Sequence, residues 1–252
     1  MSHQKVERLR KLLGDRPFRY YSVTGSTNDD LKEWLDEEPE LLSGAVLIAE
    51  GQRRGRGRFR RPWSNAPGKS LAITILLRTS DAQRIPMAAG LAVRDAVVEA
   101  LQRGFPPAAS ATEASGAPDT LGAPRDTTVP DVTLKWPNDV LIDEKKVSGI
   151  LVESAKVLRN AYLLGIGINI SGKFQGPELG SQATAVGTYT PSDVDVPRLA
   201  SDVVTGVERW LEAGNLFPAW REALSTLGRE VTVQAPDRVV EGLAADVDEE
   251  GR

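Results

Sequence analysis

Cysteine is absent from the 252-residue chain, and histidine occurs once, at His3. The first absence excludes a disulfide framework, a thiolate zinc site and a cysteine nucleophile together. The second, with His3 in a terminus expected to fray, excludes a Ser-His-Asp triad, a histidine general base and a multi-histidine metal site. No run of 18 apolar residues occurs; the longest candidates, such as Leu71–Leu77, are strand-sized. The opening MSHQKVERLR lacks the apolar stretch of a secretory signal, so a cytoplasmic protein with no membrane contact is expected. Net charge is small, 31 Lys+Arg against 35 Asp+Glu. Any catalysis must therefore come from lysine, arginine, carboxylates, amides and backbone. That favours positioning and charge stabilisation over covalent or metal-ligand chemistry.

Apolar residues make up 40% of the chain, enough for a buried core in one large domain or one domain with a small appendage. Periodicity predicts helices over Val6–Leu13, from Ser26-Thr27 to about Glu37 (Thr27 as N-cap, Asp30 at the capping-box position), and over Ile85–Leu101, Val196–Leu211 and Phe217–Leu227. Strands are predicted at Phe18–Val23, Ala45–Ala49, Leu71–Leu77, Val132–Trp136, Val140–Asp143, Val147–Glu153 and Tyr162–Ile170, with a hairpin turn at Asp143–Lys146. Residues 104–130 hold five prolines and six alanines and read as a low-complexity excursion. Short alternating strands follow at Val231–Gln234 and Val239–Ala244. Two strands cannot close a barrel, so a catalytic domain over 1–228 and a partial β domain over 229–252 are expected. Helices mixed with runs of adjacent strands give an α+β fold.

Six arginines fall between Arg53 and Arg61, interleaved with Gly55 and Gly57. A run of like charge repels itself, and the glycines let backbone wrap around an anion. A solvated basic loop, an Arg-Gly nucleic-acid contact, and a clamp over a phosphate or carboxylate with Trp63 stacked on a planar group all fit it. Its place between two core strands favours the clamp. Further on, Lys135-Trp136-Pro137-Asn138-Asp139 ends a strand, since Pro137 holds Trp136 extended and removes the next backbone donor. Alternation puts Lys135 on the face opposite Val132 and Leu134. A lysine there either snorkels to water or meets a ligand anion. Asp139 fits a Mg²⁺ contact or a turn cap, and Asn169 an adenine edge or a neighbouring strand. Gly149, Gly165 and Gly167 interrupt strands, as close backbone approach requires.

Together, Ser26-Thr27-Asn28, Gly55-Arg56-Gly57-Arg58 with Trp63, Lys135-Trp136-Pro137-Asn138-Asp139, Ser148–Glu153 and Gly165-Ile166-Gly167-Ile168-Asn169 resemble the catalytic domain of the biotin protein ligases over about residues 20–235. The resemblance implies a mixed-sheet ligase domain followed by a short SH3-like β domain. It also implies ATP-dependent joining of biotin to a lysine of a biotin carboxyl carrier domain, on an acyl-CoA or pyruvate carboxylase, through biotinyl-5′-AMP. Biotin would be met by Ser26, Thr27, Asn28, Gln52 and Gly149, and covered by the loop of Arg56, Gly57 and Arg58. Lys135 would contact the biotin carboxylate and α-phosphate, with Arg56 and Arg58 as further catalytic cations. Trp63, Asn138, Asp139 and Asn169 would line the nucleotide. Mg²⁺ would be held through the phosphates, with no protein metal ligand. Members with a winged helix bind operator DNA; no such segment precedes Val6, so DNA binding is not expected, and a monomer or homodimer is. A lipoate or octanoate ligase of related fold and a non-catalytic Arg-Gly nucleic-acid-binding protein are the rival readings.

Overall fold

The computed structural model describes residues 1–63, 68–104, 129–155, 158–172, 182–234 and 238–252. Most of the low-complexity excursion lies outside them. In chain order the elements are α1 (His3–Leu13), β1 (Phe18–Tyr21), α2 (Thr27–Glu37), β2 (Val46–Ala49), β3 (Ser70–Arg78), α3 (Arg84–Gly104), β4 (Val132–Lys135), β5 (Asp139–Ile142), β6 (Lys145–Ser154), β7 (Ala161–Asn169), α4 (Val196–Glu212), α5 (Phe217–Glu222), β8 (Glu230–Gln234) and β9 (Val239–Leu243). The first seven strands form one mixed sheet in the order β1-β2-β3-β7-β6-β5-β4, and β8-β9 form a separate two-stranded sheet. Only β1 and β2 run parallel; the remaining pairs are antiparallel. The α+β expectation holds.

Alternation along the strands sorts the sheet into two unlike faces. One face presents Ile73 and Ile75 of β3, Leu164, Ile166 and Ile168 of β7, Ile150 of β6 and Leu134 of β4 to α1, α3 and α4, forming the main core. Each such side chain contributes about 1.5–3 kcal/mol on burial, so this face dominates stability. The helices close on each other through small residues: a Cβ on Gly206 of α4 would lie 3.1 Å from Cβ of Ala92 in α3. The opposite face is only half covered. Leu31, Trp34 and Leu35 of α2 pack on Leu47, Leu76 and Leu163. Beyond them the strands carry Ala72, Thr74, Gly149, Gly165 and Gly167, too small to complete a second core.

Several boundaries differ from the sequence pattern. α1 begins at His3 because the Ser2 hydroxyl accepts from the Lys5 amide, and the Met1 ammonium donates to Tyr20 Oη at 3.1 Å and pairs with Glu50. The first residues are thus anchored rather than frayed. α2 is capped by Ser26, which accepts from the Asp29 amide, and not by Thr27; the Thr27 amide and hydroxyl are engaged elsewhere, and the Thr24 hydroxyl donates to Asp30. β1 ends at Tyr21, two residues short of the pattern. α5 ends at Glu222 instead of Leu227, because the chain there pairs with the β4 edge: Leu134 N donates to Ala223 O and Ser225 N donates to Leu134 O, both at 2.8 Å. The β5–β6 turn is as expected: Asp143 and Glu144 both have positive φ (46° and 63°), as a two-residue type I′ hairpin needs. After β9 the chain returns to the seven-stranded unit, where the Trp136 indole donates to Gly251 O at 2.7 Å and Val247 packs on the main core.

Candidate active site

The uncovered half of the sheet is the floor of a cavity of about 930 Å³. Its shape follows from missing side chains. Gly149 and Gly167 are directly opposed on β6 and β7, and the Trp63 indole lies across both. A Cβ on Gly167 would come 2.5 Å from Trp63 Cε2, and one on Gly149 3.1 Å from Trp63 Cζ3. One row further along, a Cβ on Gly165 would come 2.5 Å from Asn28 Oδ1. Any larger residue at 165 or 167 would displace the group above it. The strand-interrupting glycines therefore mark close approach, as their placement in strands suggested.

Every candidate residue from the sequence lines this cavity. On the α2 side the polar groups are already wired to the protein. Gln52 Oε1 accepts from the Thr27 amide at 2.8 Å and from its hydroxyl at 3.0 Å. Asn28 accepts from the Thr74 hydroxyl at 2.7 Å and donates to Glu153 at 2.6 Å. Arg56 makes a bidentate pair with Asp29 at 2.7 and 2.8 Å, reaches Glu153 at 3.0 and 3.3 Å, and donates to the Ser26 hydroxyl at 3.4 Å. All of its nitrogens are engaged, and its charge faces two carboxylates. The hydrogen bond from Arg56 holds the Asp29 carboxyl below its ordinary value against an opposing desolvation effect. The same bond, reinforced by Glu153, raises Arg56.

The loop between β2 and β3 narrows to a neck in which Gly57 N donates to Arg61 O at 2.8 Å and Trp63 N to Gly55 O at 2.9 Å. Gly55 is required there, since a Cβ would meet Trp63 O at 2.7 Å. At the loop tip, Phe59 and Arg60 take positive φ (55° and 57°), uncommon for such side chains. The Arg58 guanidinium stands 5.3 Å from the Phe59 ring centroid and has no carboxylate partner among the described residues.

At the opposite end, the cis Trp136–Pro137 peptide closes a tight turn between β4 and β5. Lys135 is exposed at the end of β4, on the face opposite Val132 and Leu134, and makes no ion pair among the described residues. Asn138 donates to Ile150 O at 2.9 Å, holding β6 in place. Asp139 pairs with Lys146 at 2.6 Å, and the Lys146 ammonium lies 5.4 Å from the Trp63 ring centroid. Asn169 is buried and donates to Thr184 O at 3.0 Å. Asp29, Thr74, Lys146 and Glu153 belong to the site but were not singled out in the sequence. Glu153 ends a quoted motif, so a carboxylate at a strand end was the available signal; its partners lie 97 and 125 residues away. Among the described residues, no group of three or more His, Asp and Glu side chains is placed to hold a metal, and no helix is long and apolar enough to cross a membrane.

Comparison with known proteins points one way. Residues 20–171 match the model of the biotin/lipoate A/B protein ligase family, and residues 226–252 that of the biotin protein ligase C-terminal domain. The biotin–[acetyl-CoA-carboxylase] ligase of Mycobacterium tuberculosis is 32% identical over 251 residues, covering 95% of this chain and 83% of the relative. The enzyme of the same name from Paracoccus denitrificans is 29% identical, covering 90% and 89%. Among solved structures, the biotin protein ligase from Aquifex aeolicus in complex with biotin and ATP superposes with a TM-score of 0.71 at 25% identity, covering 93% of this chain and 89% of that one.

Proposed function

The chain belongs to the biotin/lipoate A/B protein ligase family and is a biotin ligase; on that premise we propose that it activates biotin with ATP as biotinyl-5′-AMP and transfers it to one lysine of a biotin carboxyl carrier protein. The biotin carboxylate attacks the α-phosphorus and pyrophosphate leaves; the neutral acceptor amine then attacks the carbonyl of the mixed anhydride, the C–O bond to phosphate breaks, and AMP and a proton are released. Neither step needs a protein nucleophile, which suits a chain with no cysteine and one peripheral histidine. The first step brings two anions together and the second develops negative charge on the carbonyl oxygen and the departing AMP, so both are helped by cations.

The observation that carries this reading is the unequal state of the cavity's cations. Lys135 faces the cavity without a carboxylate partner among the described residues, while Arg56 is held by Asp29 and Glu153. Lys135 is therefore assigned to the biotin carboxylate and the α-phosphate. Arg56 is assigned to fixing Ser26, Asn28 and the loop neck as a preformed wall for biotin, rather than to the phosphates as the resemblance alone implied. Arg58, at the loop tip, closes over the adenylate, and Trp63 on its glycine floor borders the nucleotide with Asn138 and Asn169. ATP enters as its magnesium complex. Glu153 is already paired with Arg56 and Asp139 with Lys146, so the ion would be carried by the nucleotide phosphates rather than by these side chains.

Biotin-dependent exchange of labelled pyrophosphate into ATP, without acceptor, tests the first half-reaction. Exchange with biotin and not with lipoate is expected; exchange with lipoate alone would reverse the substrate assignment, and no exchange with either would overturn the adenylation reading. Transfer is tested next with a carboxyl carrier domain of a biotin-dependent acyl-CoA or pyruvate carboxylase, read as a mass increase on one lysine.

A further inference from the structure

Asn28 is buried at the edge of the cavity floor, and its carboxamide is tied at both ends. Its Oδ1 accepts from the Thr74 hydroxyl at 2.7 Å, and its Nδ2 donates to Glu153 Oε2 at 2.6 Å. The two ties are unlike. A hydroxyl can donate or accept, so Thr74 could serve either end of the amide. A carboxylate only accepts. Among the described residues, the Glu153 tie therefore decides which end of Asn28 carries the N–H groups.

Glu153 is placed by its strand and held by charge. Alternation along β6 puts Gly149, Leu151 and Glu153 on the cavity face, where their β7 partners are Gly167, Gly165 and Leu163. Glu153 thus stands one row beyond the Gly165 gap that admits Asn28, where Leu163 joins the core under α2. Arg56, arriving from the loop, donates to Oε1 at 3.3 Å and to Oε2 at 3.0 Å. A guanidinium has no acceptor, so a side chain at 153 must keep an oxygen toward Arg56. That oxygen, Oε2, is the one that holds Asn28.

We propose that Glu153 is a positioning residue for biotin recognition: it fixes the direction of the Asn28 carboxamide. The ureido ring, with two N–H donors flanking a carbonyl acceptor, then meets one arrangement of donor and acceptor rather than two. The inference deepens the proposed function and rests on its assignment of the α2 side to biotin. Glu153→Met keeps the side-chain length but offers no acceptor, so the amide is free to turn over. In pyrophosphate exchange the KM for biotin is expected to rise about tenfold, the factor one hydrogen bond supplies, with the KM for ATP unmoved. Glu153→Gln is the discriminating variant. Arg56 holds its oxygen at the Oε2 position, so Asn28 keeps its direction although the charge is gone, and most of the loss should be recovered. A salt bridge that merely held the loop would have Gln fail as Met does. The Asn28 side-chain amide protons, identified in NMR spectra by their loss in Asn28→Asp, read the direction without turnover. They should resist hydrogen exchange in the ligand-free wild type and Glu153→Gln, and exchange faster in Glu153→Met. An unchanged biotin KM in Glu153→Met, or an equal rise in both variants, overturns the proposal. Failure of the underlying assignment would look different: biotin would support no pyrophosphate exchange in the wild type, whatever the amide protons show.

Discussion

The two faces of the seven-stranded sheet use the same strands in opposite ways. On the helix side, β3, β4 and β7 present mainly aliphatics, and the face is sealed by α1, α3 and α4. On the other side, Gly149, Gly165 and Gly167 remove side chains where the apolar pattern would call for them. The first face trades surface for stability; the second gives up that burial and places Trp63, Asn28 and the cavity there instead. A glycine in a strand interior weakens it, so the cost of the site is carried by the aliphatic face behind it.

That contrast predicts where damage goes. Ile73 is fully buried on the helix side, and Ile73→Ala should lower unfolding free energy by about 2–5 kcal/mol, read by denaturant titration, while the residual folded enzyme keeps its KM for biotin. Lys135→Ala should leave the unfolding midpoint in place and slow pyrophosphate exchange by about 10²–10³. A midpoint shift as large as that of Ile73→Ala would erase the distinction between the faces. Gly167→Ala puts a methyl 2.5 Å from the Trp63 indole; the ring must lift, and the KM for ATP should rise more than that for biotin. An equal rise in both would mean that Trp63 does not divide the cavity.

The smallest effect is a pH signature on the cavity side. Asp29 titrates below its ordinary value of 3.8, through its hydrogen bonds from Arg56. A lowered folded-state pKa adds stability above the ordinary value, and that stability is lost as pH falls through the folded one. The stability difference between wild type and Asp29→Asn should therefore be flat above about pH 5 and shrink below it. A difference that instead grew on acidification would contradict the Arg56–Asp29 pairing. Ile73→Ala should show no comparable trend.

Much of this was legible in the sequence, and what escaped shares one cause. The strand-interrupting glycines, the lysine before Trp136-Pro137 and the Arg-Gly loop are local signals, and the structure brings all of them to one cavity. The arginines of the loop, however, look alike in sequence. Only the distant carboxylates of Asp29 and Glu153 separate the engaged Arg56 from Arg58, which has no carboxylate partner among the described residues. Lys146 was invisible for the same reason, since its direction depends on a one-residue bulge set by pairing with β5. The α2 cap moved from Thr27 to Ser26 because Gln52, 25 residues on, claims the Thr27 amide and hydroxyl. Local pattern places elements; long-range pairing decides which of two similar side chains faces the ligand.

The glycine floor has one more consequence, and it concerns entropy. Backbone held in a β ladder has no rotamers left to freeze. The Trp63 indole settles on Gly149 and Gly167, so a ligand stacked on it stills one ring already seated on backbone, where an ordinary pocket would lose roughly 0.5–1.5 kcal/mol for each flexible side chain it stills. The ordering cost of binding is shifted to the ligand itself and to the loop tip at Arg58–Arg60. Affinity in such a cavity is then governed from above, by how readily that loop settles, while the surface below is rigid from the outset.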